Sequence, residues 1–170
     1  YVWDPVSDNV LTESDAGGET TAEYTNEPDE FGQLISQRRD NATSTYHFDG
    51  QQSTRQLTDV SETVTDAATY SAFGNNVESS GATVNPFGFQ GSIGYYANPS
   101  TNNLYVRARQ YQPLNGRWES LDPLGFTDGV NGYVYSHNSP LNLSDPSGLV
   151  SCLDPEDLGG ITFTMPQGYY

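Results

Sequence analysis

Lysine is absent from this 170-residue chain, which carries six arginines against 22 acidic residues and a formal net charge of −16. Such an acidic surface repels nucleic-acid backbones and anionic membranes, so neither is expected as a partner. The single cysteine, Cys152, excludes an internal disulfide. No run approaches the ~18 consecutive apolar residues of a membrane span, and Tyr1 does not open a signal-peptide pattern.

Large apolar side chains are also scarce. Leu, Ile, Val and Phe together make up 33 of the 170 residues, a share of about 19% that is typical of disordered chains when the net charge is high. The aromatic content argues against disorder, because Phe, Trp and Tyr number 21 and Tyr alone 12. Such rings suit a β-sheet with one face in water. The composition therefore excludes a helical bundle and a compact α/β enzyme.

Tyrosines recur at a nearly constant spacing of 22–25 residues, at Tyr1, Tyr24, Tyr46, Tyr70 and Tyr95. A turn centred on glycine follows three of them, at Gly32, Gly50 and Gly74. A period of this length, with a strand–turn–strand sequence pattern in each unit, predicts a β repeat array. In such an array no unit has a core of its own, and each unit stacks on its neighbours. We therefore predict an all-β chain of antiparallel hairpins with little helix.

From Asn85 the repeat is replaced by a segment rich in Gly, Pro, Tyr and Arg. Residues 104–111 alternate between apolar and polar types, which predicts a single strand. In that strand one face carries Tyr105, Arg107, Arg109 and Tyr111, and the other carries Leu104, Val106 and Ala108.

The motifs of residues 87–149 resemble the RHS repeat-associated core domain, and residues 1–80 resemble the YD (tyrosine–aspartate) repeats that precede it. In order, the matching motifs are Phe89-Gln90-Gly91, Leu104-Tyr105 with Arg109-Gln110-Tyr111, Gly116-Arg117-Trp118, Asp122-Pro123-Leu124-Gly125, Asn131 with Tyr133 and Tyr135, and Asp145-Pro146-Ser147-Gly148-Leu149. The resemblance implies three segments: YD repeats over 1–84, the core domain over 85–149, and a tail or the start of a variable region over 150–170.

In this family, YD hairpins spiral into a hollow β-sheet shell that the core domain closes, and bacterial shells enclose a variable C-terminal effector. The resemblance thus implies a secreted or cell-surface bacterial protein whose partners are its own effector or further YD repeats, with assembly through sheet edges. About four repeats are too few to close a shell, so we expect either the last part of a much longer polypeptide or the product of a short remnant gene. A non-catalytic structural or adhesive cell-surface YD-repeat protein remains the alternative.

Two aspartates, Asp122 and Asp145, each open an Asp-Pro-x-Gly turn. On the residues alone they are either turn formers or carboxylates that meet and act as acid and base. Arg109 would then hold one of them ionised or polarise the attacked carbonyl. The resemblance favours this second interpretation, because family members cleave themselves after the final Leu with two aspartates and an arginine at these positions. It implies self-cleavage between Leu149 and Val150 and no turnover enzyme.

Other candidate sites are weaker. Cys152 and His137 form a cysteine-nucleophile alternative, but neither belongs to the family motif. The acidic segment 128–132 lacks the ligand spacing of a calcium loop. We therefore predict neither a metal site nor a cofactor.

Overall fold

A computed structural model describes residues 1–5, 7–29 and 31–152. The first half of the chain is an eight-stranded antiparallel sheet in which every strand pairs with the next along the chain. Its strands are β1 (Val2–Trp3), β2 (Val10–Ser14), β3 (Thr20–Asn26), β4 (Leu34–Arg39), β5 (Ala42–Phe48), β6 (Thr54–Thr58), β7 (Val64–Tyr70) and β8 (Asn76–Ser80). The predicted all-β chain of consecutive antiparallel hairpins is confirmed.

An aspartate opens three of the turns between these strands and closes each by the same hydrogen bonds. In each turn the aspartate Oδ1 accepts the backbone N–H two residues later at 2.8–2.9 Å and the backbone N–H four residues later at 3.0 Å. The three aspartates are Asp15, Asp49 and Asp59. Asp supplies this local acceptor more readily than most residues. The fourth residue of each turn takes a left-handed φ of 60–87°, at Gly18, Gln52 and Glu62. The repeat therefore lies in the turn chemistry as well as in the tyrosines.

The second half forms a smaller four-stranded antiparallel sheet of order β12-β11-β10-β9. Its strands are β9 (Tyr96–Ala97), β10 (Leu104–Val106), β11 (Arg109–Gln112) and β12 (Arg117–Trp118). Two short 3₁₀ segments, Gly91–Ile93 and Ser136–Asn138, are the only helical elements within the described residues. None of these residues forms a helix of the length and apolarity that would cross a membrane.

The single strand predicted over residues 104–111 is wrong, because the chain reverses at Arg107 and Ala108 and forms the β10–β11 hairpin. Val106 pairs with Arg109 across this two-residue turn. Arg107 adopts a left-handed φ of 47° and donates to the carbonyl oxygens of Ile93 at 3.0 Å and Pro146 at 2.6 Å. The reversal changes the predicted faces, so that Leu104, Val106, Arg109 and Tyr111 are all buried.

Aromatic rings supply much of the core that the aliphatic residues cannot. One cluster lies on the eight-stranded sheet and includes Tyr24, Tyr46 and, from the second half, Phe87. The other lies in the second half and gathers the buried rings Phe89, Tyr95, Tyr111, Trp118 and Tyr135. The periodic tyrosines reach this second half too, since the Tyr24 ring meets Phe87 edge-on at 5.0 Å and Tyr70 lies 6.4 Å from Phe89. The two halves of the chain therefore share their apolar contacts.

A polar contact also joins the two sheets at Glu13. Its carboxylate accepts the hydroxyls of Tyr24 at 2.5 Å and Tyr96 at 3.1 Å and pairs with Arg39 at 2.8 Å. The Glu13 and Arg39 side chains are 13% and 15% exposed. Because Tyr24 and Arg39 belong to the first sheet and Tyr96 to the second, this cluster ties the sheets together.

Candidate functional site

Both Asp-Pro-x-Gly motifs form the turns that their sequence predicts. The amide of Gly125 donates to the Asp122 carbonyl oxygen at 3.0 Å, and that of Gly148 donates to the Asp145 carbonyl oxygen at 3.2 Å. Each glycine takes a left-handed φ, 72° at Gly125 and 70° at Gly148. Turn formation accounts for the backbone of the two aspartates, while their carboxyl groups make further contacts.

Arg109 brings the two carboxyl groups into one buried cluster. Its Nη1 lies 3.0 Å from Asp122 Oδ2, and its Nη2 lies 3.0 Å from Asp145 Oδ2. The three side chains are only 0–3% exposed. The structure thus places Arg109, Asp122 and Asp145 together, with the guanidinium bridging the carboxylates. The two carboxylates are therefore joined through a cation, which differs from the directly paired arrangement considered from the sequence.

Further contacts fix the orientation of the Arg109 guanidinium. Its Nε donates to the Gly148 carbonyl oxygen, and its Nη1 also donates to the Gly132 carbonyl oxygen at 3.3 Å. The Trp118 ring centroid lies 4.1 Å from Cζ, which adds a cation–π contact. Of these two carbonyls, that of Gly148 lies one residue before the carbonyl of the expected scissile bond. A planar, multiply bonded guanidinium of this kind is poorly replaced by lysine.

Asp145 also holds the expected scissile peptide. Its Oδ1 accepts the backbone N–H of Leu149 at 2.9 Å and that of Val150 at 3.1 Å. Leu149 is buried and Val150 is half-buried. The bond between these residues therefore lies beside a carboxyl group whose other oxygen contacts Arg109.

Ser147 is a member of this cluster that the sequence did not reveal. Its hydroxyl donates to Asp145 Oδ1 at 3.1 Å and accepts the N–H groups of Leu149 at 3.1 Å and Val150 at 3.4 Å. The third position of an Asp-Pro-x-Gly turn has no required side chain. No local signal therefore marked Ser147, and only the packed turn shows its role.

Burial raises the pKa of the Asp145 carboxyl to about 6, although the positive charge of Arg109 and the bonds from Leu149 and Ser147 act in the opposite direction. A carboxyl with this pKa changes its protonation state near neutral pH, which is a property of groups that transfer protons in active sites. Arg109 supplies the cation at this cluster. Within the described residues, no group of three or more His, Cys, Asp or Glu side chains is placed to hold a metal ion.

The chain beyond the expected cut is held as well. Ser151 donates its backbone N–H and its hydroxyl to Asp128 Oδ2, and Cys152 forms an antiparallel backbone pair with Ser144. The other oxygen of Asp128 lies 3.0 Å from His137 Nε2. The cysteine-nucleophile alternative involved His137 and Cys152. In the structure the His137 ring contacts Asp128, and Cys152 is half-buried. Residues 153–170, most of the predicted tail, lie outside the described residues.

Comparison with known proteins identifies relatives, although no protein-family model matches the chain. It is 32% identical over 152 residues, 87% of its length, to a tRNA3(Ser)-specific nuclease WapA of Bacillus spizizenii. It is 42% identical over 65 residues, 38% of its length, to the toxin protein Tse5 of Pseudomonas aeruginosa. This chain is an RHS-type, toxin-associated domain. It spans only 6% of the WapA relative and 5% of Tse5.

The RHS-type fold is also found in solved structures. A structure of TcdB2-TccC3 without its hypervariable C-terminal region superposes on 77% of this RHS-type domain with a TM-score of 0.64, at 22% sequence identity, and the match covers 7% of that chain. The two structures therefore share an antiparallel β fold. In both comparisons the domain corresponds to a small part of a much larger polypeptide.

Proposed function

We propose that this domain is the closing end of an RHS/YD-repeat shell that encloses a C-terminal effector and cleaves its own Leu149–Val150 bond. In this proposal residues 1–84 are YD repeats, residues 85–149 are the core domain, and the released part begins at Val150. The protein would be a secreted or cell-surface bacterial toxin component. One observation carries the cleavage proposal: the buried Asp145 carboxyl, which also contacts Arg109, accepts the N–H of Val150.

The arrangement supports an aspartic-type hydrolysis with separate roles for the two carboxyl groups. Water adds to the Leu149 carbonyl carbon and gives a proton to the Asp122 carboxylate. The C–N bond to Val150 then breaks as protonated Asp145 gives its proton to the leaving nitrogen. Leu149 is left with a carboxyl group and Val150 with an amine. The raised pKa of Asp145 keeps a protonated fraction near neutral pH, which a general acid needs.

Arg109 has the positioning role in this scheme. It contacts one oxygen of each carboxyl group and the Gly148 carbonyl beside the scissile bond. A fixed cation in a buried site stabilises charge that develops in the transition state without reorganising. The same contacts fix the Gly148–Leu149 backbone relative to both carboxyl groups, and such positioning is worth orders of magnitude in rate.

The shell part of the proposal is supported by the open edges of the larger sheet. Among the described residues, β1 and β8 each pair on one side only, and every residue of β8 is exposed. An unpaired strand edge is a site for further strand pairing. Further YD repeats of the same polypeptide would continue the sheet there, and the effector would lie inside the resulting shell.

The test is intact-mass spectrometry of the natural polypeptide that carries this domain, produced without added protease. The wild-type chain should separate into a part that ends at Leu149 and a part that begins Val150-Ser151-Cys152. Asp122→Asn and Asp145→Asn remove a titratable carboxyl and should leave one uncut chain. Arg109→Lys keeps the charge but loses the planar fork and should cut slowly.

Two further variants serve as controls. Asp40→Asn changes the net charge by the same amount at an exposed turn and should cut like the wild type. Cys152→Ser should cut normally, which distinguishes the carboxyl mechanism from a cysteine nucleophile. If the cut persists in both site aspartate variants, these residues are only turn formers. If the folded wild-type chain stays intact, the self-cleavage proposal is wrong and the structural or adhesive alternative stands.

A further inference from the structure

The segment just after the Leu149–Val150 bond is held by side chains outside the Arg109 cluster. Asp145 and Ser147 hold the peptide as far as the Val150 amide. The next residue, Ser151, donates both its backbone N–H, at 3.2 Å, and its hydroxyl, at 3.0 Å, to Asp128 Oδ2. A serine side chain two residues past the bond thus donates a hydrogen bond to a carboxylate of the same domain.

Asp128 is itself held in place for this contact. Its Oδ1 lies 3.0 Å from His137 Nε2, and its side chain is only 15% exposed. His137 lies in a short left-handed stretch, with a φ of 49°. With one carboxylate oxygen on His137 and the other on Ser151, Asp128 links the 136–138 turn to the downstream chain.

The residue after Ser151 is held through its backbone. The Cys152 N–H donates to the Ser144 carbonyl oxygen at 2.8 Å, and the Ser144 N–H donates to the Cys152 carbonyl oxygen at 3.0 Å. Ser144 directly precedes Asp145. The downstream chain therefore runs antiparallel to the segment that enters the Asp145 turn, and the scissile bond lies between two anchored stretches.

We propose that Asp128 is a positioning residue of the self-cleaving site and that the site selects a substrate segment with Ser or Thr two positions after the cut. This inference rests on the proposed function. Hydrolysis needs the Val150 nitrogen to stay within reach of Asp145 while its bonding changes, and small displacements of a reacting group lower rates steeply. The paired bonds from Ser151 to Asp128 hold that nitrogen from its downstream side.

The hydroxyl requirement follows from the chemistry of the contact. An ionised carboxylate accepts hydrogen bonds and cannot donate, so residue 151 must provide the donor. Ser and Thr both do so, whereas Ala leaves only the backbone N–H. A carboxylate at position 151 would place like charges together and should be excluded more strongly than Ala.

The experiment measures the rate of cutting of the natural polypeptide after a translation pulse. Ser151→Ala and Asp128→Asn should each slow the cut on the order of tenfold, the loss expected for one charge-assisted hydrogen bond. Ser151→Thr should restore a rate close to the wild type. The double variant should be no slower than the slower single variant, because both substitutions break the same contact. Asp40→Asn is the matched charge control and should leave the rate unchanged.

Two readouts separate positioning from a general loss of structure. The pH profile of cutting should keep its shape in Ser151→Ala, because the hydroxyl that this variant removes takes no part in the proton transfers of the reaction. In an uncut Asp122→Asn background, Ser151→Ala should speed hydrogen exchange at residues 150–152 and leave residues 104–112 unchanged.

The outcomes distinguish this inference from the function on which it rests. A wild-type chain that does not cut overturns the proposed function and this inference with it. A wild-type chain that cuts, with Ser151→Ala and Asp128→Asn cutting equally fast, overturns only the positioning role. A slow Ser151→Thr variant, or unchanged exchange at residues 150–152, likewise overturns the assignment of Asp128 to this contact.

Discussion

Gly148 and Gly125 occupy equivalent positions in the two Asp-Pro-x-Gly turns, and their substitution by alanine should have unequal effects. Both have nearly the same left-handed φ, 70° and 72°. A Cβ at Gly125 would meet nothing within 4 Å. A Cβ at Gly148 would press into the Val106 carbonyl oxygen and lie 3.2 Å from the Arg109 amide nitrogen. The pair therefore separates the cost of the backbone conformation from the cost of close approach.

The expected magnitudes follow from these two contributions. Placing alanine in the left-handed region costs about 1–2 kcal/mol at either position. At Gly148 the added methyl group must also displace backbone, which adds about 1–3 kcal/mol, as overpacking typically does. Gly148→Ala should thus cost roughly 2–5 kcal/mol in total. Because each 1.4 kcal/mol is a factor of ten, this corresponds to a roughly 30-fold to several-thousand-fold rise in local opening.

Hydrogen exchange with mass spectrometry on the natural polypeptide measures this opening. Gly148→Ala should speed exchange both in peptides covering residues 143–149 and in the β10–β11 hairpin over 104–112, because the methyl group pushes on both. Gly125→Ala should speed exchange only around its own turn, by roughly five- to thirtyfold at 1–2 kcal/mol. Equal effects of the two variants, or a hairpin that is undisturbed in Gly148→Ala, would refute the close-approach argument.

Two other predictions concern charge. Burial raises the pKa of Asp145 to about 6, so the folded state favours the protonated carboxyl. The stability that this protonated carboxyl contributes is present at low pH, decreases as the pH rises above about 4, and is lost as the pH rises through about 6. Urea unfolding should therefore show the wild type losing roughly 2–3 kcal/mol relative to Asp145→Asn between pH 4 and 7.5; parallel curves would contradict the shift. Glu13→Gln should destabilise by roughly 3 kcal/mol, because it leaves Arg39 in a mostly buried place without its carboxylate. The exposed Glu23→Gln should change thermal stability by less than about 1 kcal/mol, and similar melting shifts for both would count against the Glu13 joint.

Much of the fold could be predicted because its signals are local. The turn at Asp15 depends on a side chain that bonds its own backbone within four residues, and the tyrosine spacing reports one strand pair after another. The β10–β11 hairpin could not be predicted this way, since its turn contains neither Gly nor Asn. The left-handed Arg107 is held there by the carbonyl oxygens of Ile93 and Pro146, the latter 39 residues away, so the turn is a product of tertiary contacts.

The site also contains residues that the sequence could predict and residues that it could not. Asp122, Asp145 and Arg109 could be singled out because they match a family motif, and the structure brings them together; their catalytic role stays a prediction. Ser147 occupies a turn position that tolerates any side chain, and Asp128 meets Ser151 across 23 residues. Neither contact leaves a trace in residue type or spacing, so only the folded chain reveals them.

The shared aromatic contacts between the two sheets have a consequence for synthesis. A ribosome releases the eight strands of the larger sheet before Phe87, Phe89 and Tyr96 emerge, and domains fold from the N-terminus as the chain is made. Until then the face that carries Tyr24, Leu34 and Tyr46 has no cover, although the finished chain buries it. The early strands therefore expose an apolar face while the rest of the chain is synthesised. Chaperone binding to the nascent chain should be strongest just before the second half emerges.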